Sequence, residues 1–166
     1  MNRPFLIYPD PRLRQVCDPV EMVDERVRAV WEEMLRAMYA MPGVGLAAPQ
    51  IGEMRRLIVV DASEGRKSPL KMANPEILHA SATLNPREEG SPNIPDLWAM
   101  VERPRGVTVR FLNEDGEPEE QDFVGLWATS VQHQVDHLNG KLFIDHLSPV
   151  KRKMLLAKHR KNRKRR

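Results

Sequence analysis

The sequence predicts one domain of the α+β class. Its helical and strand patterns lie in separate stretches of the chain instead of alternating, which favours α+β over α/β architecture. The chain has 166 residues, 41% of them hydrophobic, so it can bury a single core. A single cysteine, Cys17, excludes a disulfide framework, and no apolar run reaches the length of a membrane-spanning helix.

The first part of the chain is expected to hold an extended entry, one helix and one buried strand. Four prolines within residues 1–20 suit an extended or turning segment. Asp24 fits an N-cap, and the apolar residues after it recur at helical spacing. This pattern predicts a helix over 25–40, ended by Pro42 and Gly43. The short apolar run 57–61 predicts a buried strand.

The remaining chain is expected to form a hairpin and two helices. Val107, Val109 and Phe111 alternate with polar residues, turn residues follow at 113–116, and 119–124 forms the return strand. Weaker strand patterns precede this hairpin and helical patterns follow it. The weaker strands are 70–74 and 77–84, with Pro75 between them, and the helices are 126–138 and 149–163.

Charge is distributed unevenly along the chain. The net charge is +3, but residues 151–166 carry ten Lys or Arg residues and no acidic one, whereas residues 1–150 hold 16 basic and 23 acidic residues. An acidic domain with a basic tail is typical of proteins whose tail binds nucleic acid or another polyanion. A solvated cationic helix without a partner is the alternative.

Two glycine-containing segments have residue types found at functional sites. The first, GVGLAAPQ at 43–50, lets the backbone approach a ligand or another strand closely, and Gln50 adds a donor and an acceptor. A tight turn that enters a strand explains the same pattern. The second, EEGSPNIP at 88–95, has the composition of a loop.

The third segment, HQVDH at 133–137, carries a histidine pair. His133 and His137 are four residues apart on a predicted helix, so both imidazoles can face one metal ion. In the pattern HExxH a glutamate activates the metal-bound water, and here Gln134 takes that position. Its amide cannot accept a proton near neutral pH. Asp136 either orients an imidazole or is a surface carboxylate. Two histidines on a half-buried helix face, with no metal, are the alternative.

Taken in order, the three segments resemble the motifs of the peptide deformylase family. The family motifs GxGLAAxQ, EGCLS and QHExDH correspond to 43–50, 89–93 and 132–137. The similarity spans nearly the whole chain. It also includes YPDPRLR at 8–14, Met38 and Tyr39, residues 101–103 and 113–116, GKLFID at 140–145 and LSP at 147–149.

The resemblance implies a fold, a reaction and a metal. The fold has mostly antiparallel strands around a central helix that bears the HxxxH pair, here followed by a basic C-terminal helix. The reaction is removal of the formyl group from N-formyl-methionine of nascent bacterial or organellar polypeptides. One divalent metal ion, usually Fe²⁺ with Zn²⁺ or Ni²⁺ as substitutes, is held by a cysteine, two histidines and a water. A glutamate shuttles protons, and a glutamine together with the backbone N–H after the cysteine stabilises the oxyanion.

Most site positions match the family, and three depart from it. His133 and His137 match the ligating histidines, and Gln50 matches the oxyanion glutamine. The positions expected to flank the substrate are Val44, Gly45 and Gly90. The departures are Ser91 in place of the cysteine ligand, Pro92 in place of the residue that gives the oxyanion N–H, and Gln134 in place of the glutamate.

Each departure removes a group that the family reaction uses. A serine hydroxyl is a far weaker metal ligand than a thiolate, so only two good ligands are left. Loss of a general base typically costs about 10²–10⁴-fold in rate, and loss of one oxyanion donor about 10²–10³-fold. Proline has no N–H to donate. We therefore expect a retained peptide cleft with weak metal binding and with weak or absent ordinary deformylase activity.

Three functions fit these residues. The first is a deformylase-like protein that binds formyl-Met or Met peptides with little turnover. The second is an active metallohydrolase with altered site chemistry, which uses Ser91 as an oxygen ligand and another base. The third is a non-catalytic ribosome- or RNA-binding module. In all three the absence of a signal or transit pattern leads us to expect a bacterial cytoplasmic protein with no membrane partner.

We divide the chain into a deformylase-like domain at 1–150 and a basic helix or tail at 151–166. The tail lies where bacterial family members can dock a C-terminal helix onto the ribosome. We expect its cationic residues to contact ribosomal RNA. They are Lys151, Arg152, Lys153, Lys158, Arg160, Lys161, Arg163, Lys164, Arg165 and Arg166.

Overall fold

A five-stranded antiparallel sheet and a separate two-stranded hairpin form the frame of the protein. The computed structural model describes residues 3–166. The strands are β1 (Gly45–Ala47), β2 (Leu57–Val60), β3 (Leu70–Ala80), β4 (Leu84–Ser91), β5 (Ile94–Pro104), β6 (Gly106–Leu112) and β7 (Pro118–Val124). The large sheet has the order β1-β2-β3-β6-β7, and β4 pairs with β5. The α-helices are α1 (Glu25–Tyr39), α2 (Gly125–Leu138) and α3 (Pro149–Lys164). These elements confirm the α+β prediction.

Helices cover both faces of the large sheet. Leu57 and Val59 of β2 pack in one core cluster with α1, whereas Ile58 and Val60 pack in another with α2. Because successive side chains of a strand point to opposite faces, a strand covered on both sides must be apolar throughout. This double burial explains why 57–60 is a continuous apolar run.

Helix α1 begins where its capping residue predicts. The side chain of Asp24 accepts a hydrogen bond from the N–H of Val27 at 3.0 Å, which satisfies one of the free donors of the first turn. The helix then buries one stripe of side chains against the sheet. The stripe consists of Val27, Val30, Trp31, Met34, Leu35 and Met38.

Helix α2 is the central helix of the molecule. Its apolar residues pack on the large sheet, and its polar residues Gln132, His133 and Gln134 are also buried. A helix that buries polar side chains needs partners for them on the side away from the sheet. The β4–β5 hairpin lies on that side, so the functional residues of α2 and β4 come together between these two elements.

Helix α3 is attached to the body of the protein along one side. Leu155 and Leu156 pack against the core cluster beneath the hairpin, and His159 is buried. The Nε2 atom of His159 lies 2.8 Å from the backbone oxygen of Tyr8. Within residues 3–166, no helix is both long enough and apolar enough to cross a bilayer.

The secondary structure confirms most of the sequence predictions and corrects two. Residues 88–95 are not a loop, because only the Pro92–Asn93 turn interrupts the pairing of β4 with β5. The predicted strands 70–74 and 77–84 are wrong in their bounds: β3 is continuous, passes Pro75 with a shift in register and a positive φ of 51° at Asn74, and ends at Ala80. Trp98 of β5 is 59% exposed.

Met34 gives a test of the α1 packing. It is completely buried, and its replacement by alanine leaves a cavity that the surrounding residues fill only in part. We expect Met34→Ala to lower the free energy of unfolding by about 2–5 kcal/mol in urea titrations. Arg26→Ala, at an exposed position of the same helix, should change it by less than about 0.5 kcal/mol. Equal effects of the two variants would contradict this packing.

Candidate functional site

The three sequence segments line one cavity of about 350 Å³. It lies between the β4–β5 hairpin, α2 and the chain that leads into β1. Its apolar wall includes Met41, Val44, Leu97, Trp98 and Leu126. Its polar groups come from Gln50, Arg87, Ser91, Thr129, Ser130, His133 and Gln134. An apolar cleft with a few converging polar groups is the usual form of a ligand-binding site.

Two glycines permit close packing at the cavity wall. A Cβ atom on Gly45 would lie 2.6 Å from Nε2 of Gln134, and one on Gly90 would lie 2.6 Å from Cζ3 of Trp98. Beside Gly45, Oγ of Ser130 donates to the backbone oxygen of Val44 at 3.2 Å. These positions, predicted to flank a substrate, therefore also let β1 approach α2 and let the indole lie across β4.

The histidine pair converges as its spacing predicts. The Nε2 atoms of His133 and His137 are 3.3 Å apart, and both side chains are buried. Two imidazole nitrogens that share a tetrahedral metal at about 2.0–2.1 Å lie at about this separation. Burial first, and the neighbouring His133 second, hold the pKa of His137 well below its ordinary value, so this ring is neutral.

A buried carboxylate orients His133. Oε1 of Glu89 lies 2.8 Å from Nδ1 of His133, and both oxygens of Glu89 accept hydrogen bonds from Arg103, at 2.7 and 3.0 Å. Burial raises the pKa of Glu89, but the bonds from His133 and Arg103 outweigh this effect and hold the pKa below its ordinary value. Glu89 is therefore ionised, accepts the Nδ1–H of His133, and leaves a lone pair on Nε2.

The sequence leaves open whether Asp136 orients an imidazole of the pair, and in the structure its carboxylate forms no hydrogen bond with either ring. Its Oδ2 accepts a hydrogen bond from Nη1 of Arg103 at 2.9 Å and lies 2.8 Å from Nε2 of His146. Arg103 thereby connects two carboxylates, one on β4 and one on α2. The role considered for Asp136 belongs to Glu89, which is adjacent to His133 in space but 44 residues away in sequence.

Ser91 and Asn93, which lie in place of the first and last residues of the family's CLS triplet, form a closed hydrogen-bond network with Gln50. Oδ1 of Asn93 accepts hydrogen bonds from Oγ of Ser91 at 2.9 Å and from Nε2 of Gln50 at 2.7 Å. The backbone N–H of Asn93 donates to Oγ of Ser91 at 3.2 Å. The amide oxygen of Gln50 accepts the N–H of Ala47 at 2.8 Å. The hydroxyl proton of Ser91 and a donor of Gln50 are thus already used within the protein.

The donor set does not fit the resident metal ion that the resemblance implies. Two imidazoles are suitably placed, but the third position holds a neutral hydroxyl whose proton is bound to Asn93. To bind metal through Nε2, His137 would carry its proton on Nδ1, and that atom has no hydrogen-bond partner within residues 3–166. A ligating histidine normally donates its other N–H to an acceptor. No group of three or more His, Cys, Asp or Glu residues in that range could hold a metal ion.

Several residues of the site have no clear signal in the sequence. Asn93, Arg87 and Trp98 lie on a hairpin whose sequence indicates a loop, and Arg103 is one of 26 basic residues. One pattern could have been used: Arg87, Glu89 and Ser91 are spaced by two residues, which would place these three side chains on one face of a strand. The predicted cationic residues of α3 do not line the cavity. At its rim, Nη2 of Arg166 bonds Oδ2 of Asp96 at 2.5 Å.

Comparison with known proteins relates the whole chain to one group. Residues 2–153 match the family model for polypeptide deformylase. A peptide deformylase of Phenylobacterium zucineum is 50% identical over 98% of this chain and 97% of its own length. A peptide deformylase structure from Ehrlichia chaffeensis has a TM-score of 0.93 at 29% identity and covers 99% of this chain and 98% of that one. A Met-Ala-Ser-bound class I type b peptide deformylase structure from Acinetobacter baumannii has a TM-score of 0.84 at 34% identity and covers 89% of this chain and 99% of that one.

The Glu89–Arg103 pair gives a prediction for the site. Glu89→Gln removes a buried charge and leaves the Arg103 guanidinium without its bidentate partner. We expect a loss of about 3–5 kcal/mol in the free energy of unfolding, measured in urea. Glu88→Gln is the matched control, because Glu88 is exposed and forms no salt bridge within residues 3–166. A loss below about 1 kcal/mol for Glu89→Gln would show that the pair does not hold the site together.

Proposed function

The chain belongs to the polypeptide deformylase family, and we propose that it binds N-terminal Met peptides with little or no ordinary deformylase activity. Peptide deformylases act on the formyl-Met end of nascent peptides and use a single divalent metal ion, usually Fe²⁺. The proposal separates these two properties. We propose that the protein retains the peptide cleft but lacks most of the hydrolytic activity.

The cleft supports the binding part of the proposal. Its volume of about 350 Å³ and its apolar wall suit a short peptide that begins with an apolar side chain. The Acinetobacter baumannii relative has Met-Ala-Ser bound, and its fold matches this chain over 89% of its length. The glycines that let β1 and β4 line the cavity closely are present as Gly45 and Gly90.

One hydrogen-bond network is the main support for the proposed loss of hydrolytic activity. Ser91 Oγ and Gln50 Nε2 both donate to the same atom, Oδ1 of Asn93. The family positions that hold the metal and stabilise the oxyanion are therefore engaged with each other. Freeing either group for a ligand breaks a buried hydrogen bond to Asn93.

Two further residues support the same conclusion. Gln134 is a neutral amide at the position of the family's proton shuttle, and its buried Oε1 has no hydrogen-bond partner within residues 3–166. Pro92 stands in the turn between β4 and β5 and has no N–H to offer an oxyanion. The relatives' name describes hydrolysis, and our proposal departs from that name at these positions. Ser91, Pro92 and Gln134 are only three of 166 residues, so a chain can be highly identical to active relatives and still lack their catalytic groups.

The proposal predicts a large difference between the natural chain and a variant in which the family motifs are rebuilt. We expect the purified chain, challenged with Fe²⁺, Ni²⁺ or Zn²⁺, to retain less than about a tenth of an equivalent of metal. Its turnover of formyl-Met-Ala-Ser should be at least about 10²-fold below that of Ser91→Cys, Pro92→Leu, Asn93→Ser, Gln134→Glu combined. Metal is measured by mass spectrometry, and turnover by the release of free amine.

The control for this comparison is Gln134→Glu alone. It supplies the general base without a third metal ligand, so its activity should stay close to that of the natural chain. Turnover by the natural chain within tenfold of the rebuilt variant would refute the proposal and favour an active metallohydrolase with altered chemistry. Peptide binding without turnover, measured by fluorescence anisotropy, is the expected result, and absence of binding would favour a module that uses the fold only for ribosome contact.

A second proposed activity concerns the basic helix. We propose that α3 contacts ribosomal RNA, because Leu155 and Leu156 attach it to the body while all but one of its Lys and Arg side chains are exposed. Such an orientation presents a dense row of cations to a polyanion. Together with a formyl-Met ligand, this contact would place the protein at nascent chains in the bacterial cytoplasm.

Exposed charges of α3 can be neutralised without disturbing its packing. We expect Lys153→Gln, Lys158→Gln, Arg160→Gln, Lys164→Gln combined to lower ribosome co-sedimentation by at least about tenfold at 50 mM salt. Binding by the natural chain should fall steeply between 50 and 200 mM salt. Arg26→Gln, Arg36→Gln, Lys67→Gln, Arg105→Gln combined removes the same charge from exposed positions elsewhere and should bind normally. Equal loss in both variants would mean that only net charge matters.

A further inference from the structure

Arg87 is a cationic side chain on the cavity wall without an anionic partner. It is only partly exposed, and its Nε atom is buried without a hydrogen-bond partner within residues 3–166. It takes part in none of the ion pairs of that range. Arginine is rarely buried unless it is paired, because removal of its charge from water is costly.

Strand alternation explains why this arginine faces the cavity. Arg87, Glu89 and Ser91 lie at every second position of β4 and therefore on one face. Glu89 on that face contacts His133, and Ser91 contacts Gln50. Arg87 extends the same row toward the first residue of α2: its Nη2 lies 3.9 Å from where a Cβ on Gly125 would be.

The acidic residues around the cavity do not neutralise Arg87. The two oxygens of Glu89 are used by Arg103 and His133, and Asp96 is bound by Arg166. Glu88 also borders the cavity, but it is exposed and forms no ion pair with Arg87 within residues 3–166. By contrast, the neighbouring buried Arg103 has two carboxylate partners, so the fold pairs a buried guanidinium where it can. The charge of Arg87 is left available to a ligand.

We propose that Arg87 makes the cleft selective for peptides that bring a carboxylate to the α2 end of the cavity. This specificity rests on the proposed peptide binding and names the class of peptide that is bound. A guanidinium forms two parallel hydrogen bonds with a carboxylate, and it matches that planar group better than a neutral amide. The carboxylate is either an Asp or Glu side chain or the C-terminus of a short peptide.

The test compares matched peptides on the full chain by fluorescence anisotropy at 50 mM salt. Each acidic peptide has a neutral partner: formyl-Glu-Ala-Ser, formyl-Met-Glu-Ser and formyl-Met-Ala-Glu amides are compared with their Gln counterparts. Formyl-Met-Ala-Ser with a free C-terminus is compared with its amide. We expect one acidic peptide to bind about tenfold or more tightly than its neutral partner, and the position of the preferred acid identifies the source of the carboxylate.

Variants of Arg87 connect the preference to this residue. Arg87→Gln should abolish the acidic preference, so that each acidic peptide and its neutral partner bind with equal affinity, and Arg87→Lys should keep part of the preference. Arg36→Gln, at an exposed position of α1, removes the same charge and should keep the full preference. Circular dichroism checks that each variant is folded, and the comparison of peptides on the natural chain needs no variant.

The possible outcomes separate this inference from the function on which it rests. If neutral and acidic peptides bind the natural chain equally, the selectivity is refuted while peptide binding stands. If the preference persists in Arg87→Gln, another residue carries it and the inference is refuted. If no peptide of either kind binds, both the inference and the proposed peptide binding fail.

Discussion

Arg103 holds the β4–β5 hairpin against the central helix, and the geometry of the site depends on this contact. Its guanidinium binds both oxygens of Glu89 on β4 and one oxygen of Asp136 on α2. Two of these three charges, Glu89 and Arg103, are buried, and their desolvation is offset only because the hydrogen bonds are short. Glu89 then fixes the ring of His133. Through this chain of contacts, the hairpin, the helix and the imidazole pair have one relative arrangement.

This arrangement separates the scaffold of the site from its chemistry. The groups that build the cavity are glycines, apolar side chains and the Arg103 network, and none of them is a metal ligand or a base. Ser91, Pro92 and Gln134 can therefore differ from the family pattern without loss of the fold, since a hairpin turn accommodates Pro92 and a hydrogen bond to Asn93 accommodates Ser91. A fold can be kept for binding after such changes, because binding and bond cleavage draw on different residues.

Most helices and strands could be predicted from local periodic patterns. Contacts between segments that are distant in the sequence could not be predicted in this way. The helix over 25–40, the histidine pair and the hairpin after Val107 follow from capping, i,i+4 spacing and alternation, which are properties of neighbouring residues. The hairpin of β4 and β5 was missed because Gly90, Ser91 and Pro92 are turn formers, and its pairing is maintained by backbone bonds that side-chain composition does not encode. The partner of His133 lies 44 residues away, so only a motif match or a structure can identify it.

Our proposal that the cavity binds peptides with little turnover depends on the polar groups that remain in it. Hydrolysis of a formamide needs a nucleophilic water, a group that accepts its proton and a donor for the developing oxyanion. The pKa of His137 is held well below its ordinary value by burial, Gln134 cannot take a proton, and one N–H of Gln50 is bound to Asn93. An incoming acyl-peptide would thus meet an apolar wall and one unpaired cation, Arg87, with an amide, Gln134, at the position of the family's proton shuttle. Under the proposed function these groups bind the peptide equally well in the ground state and in the transition state, and such uniform binding does not accelerate the reaction.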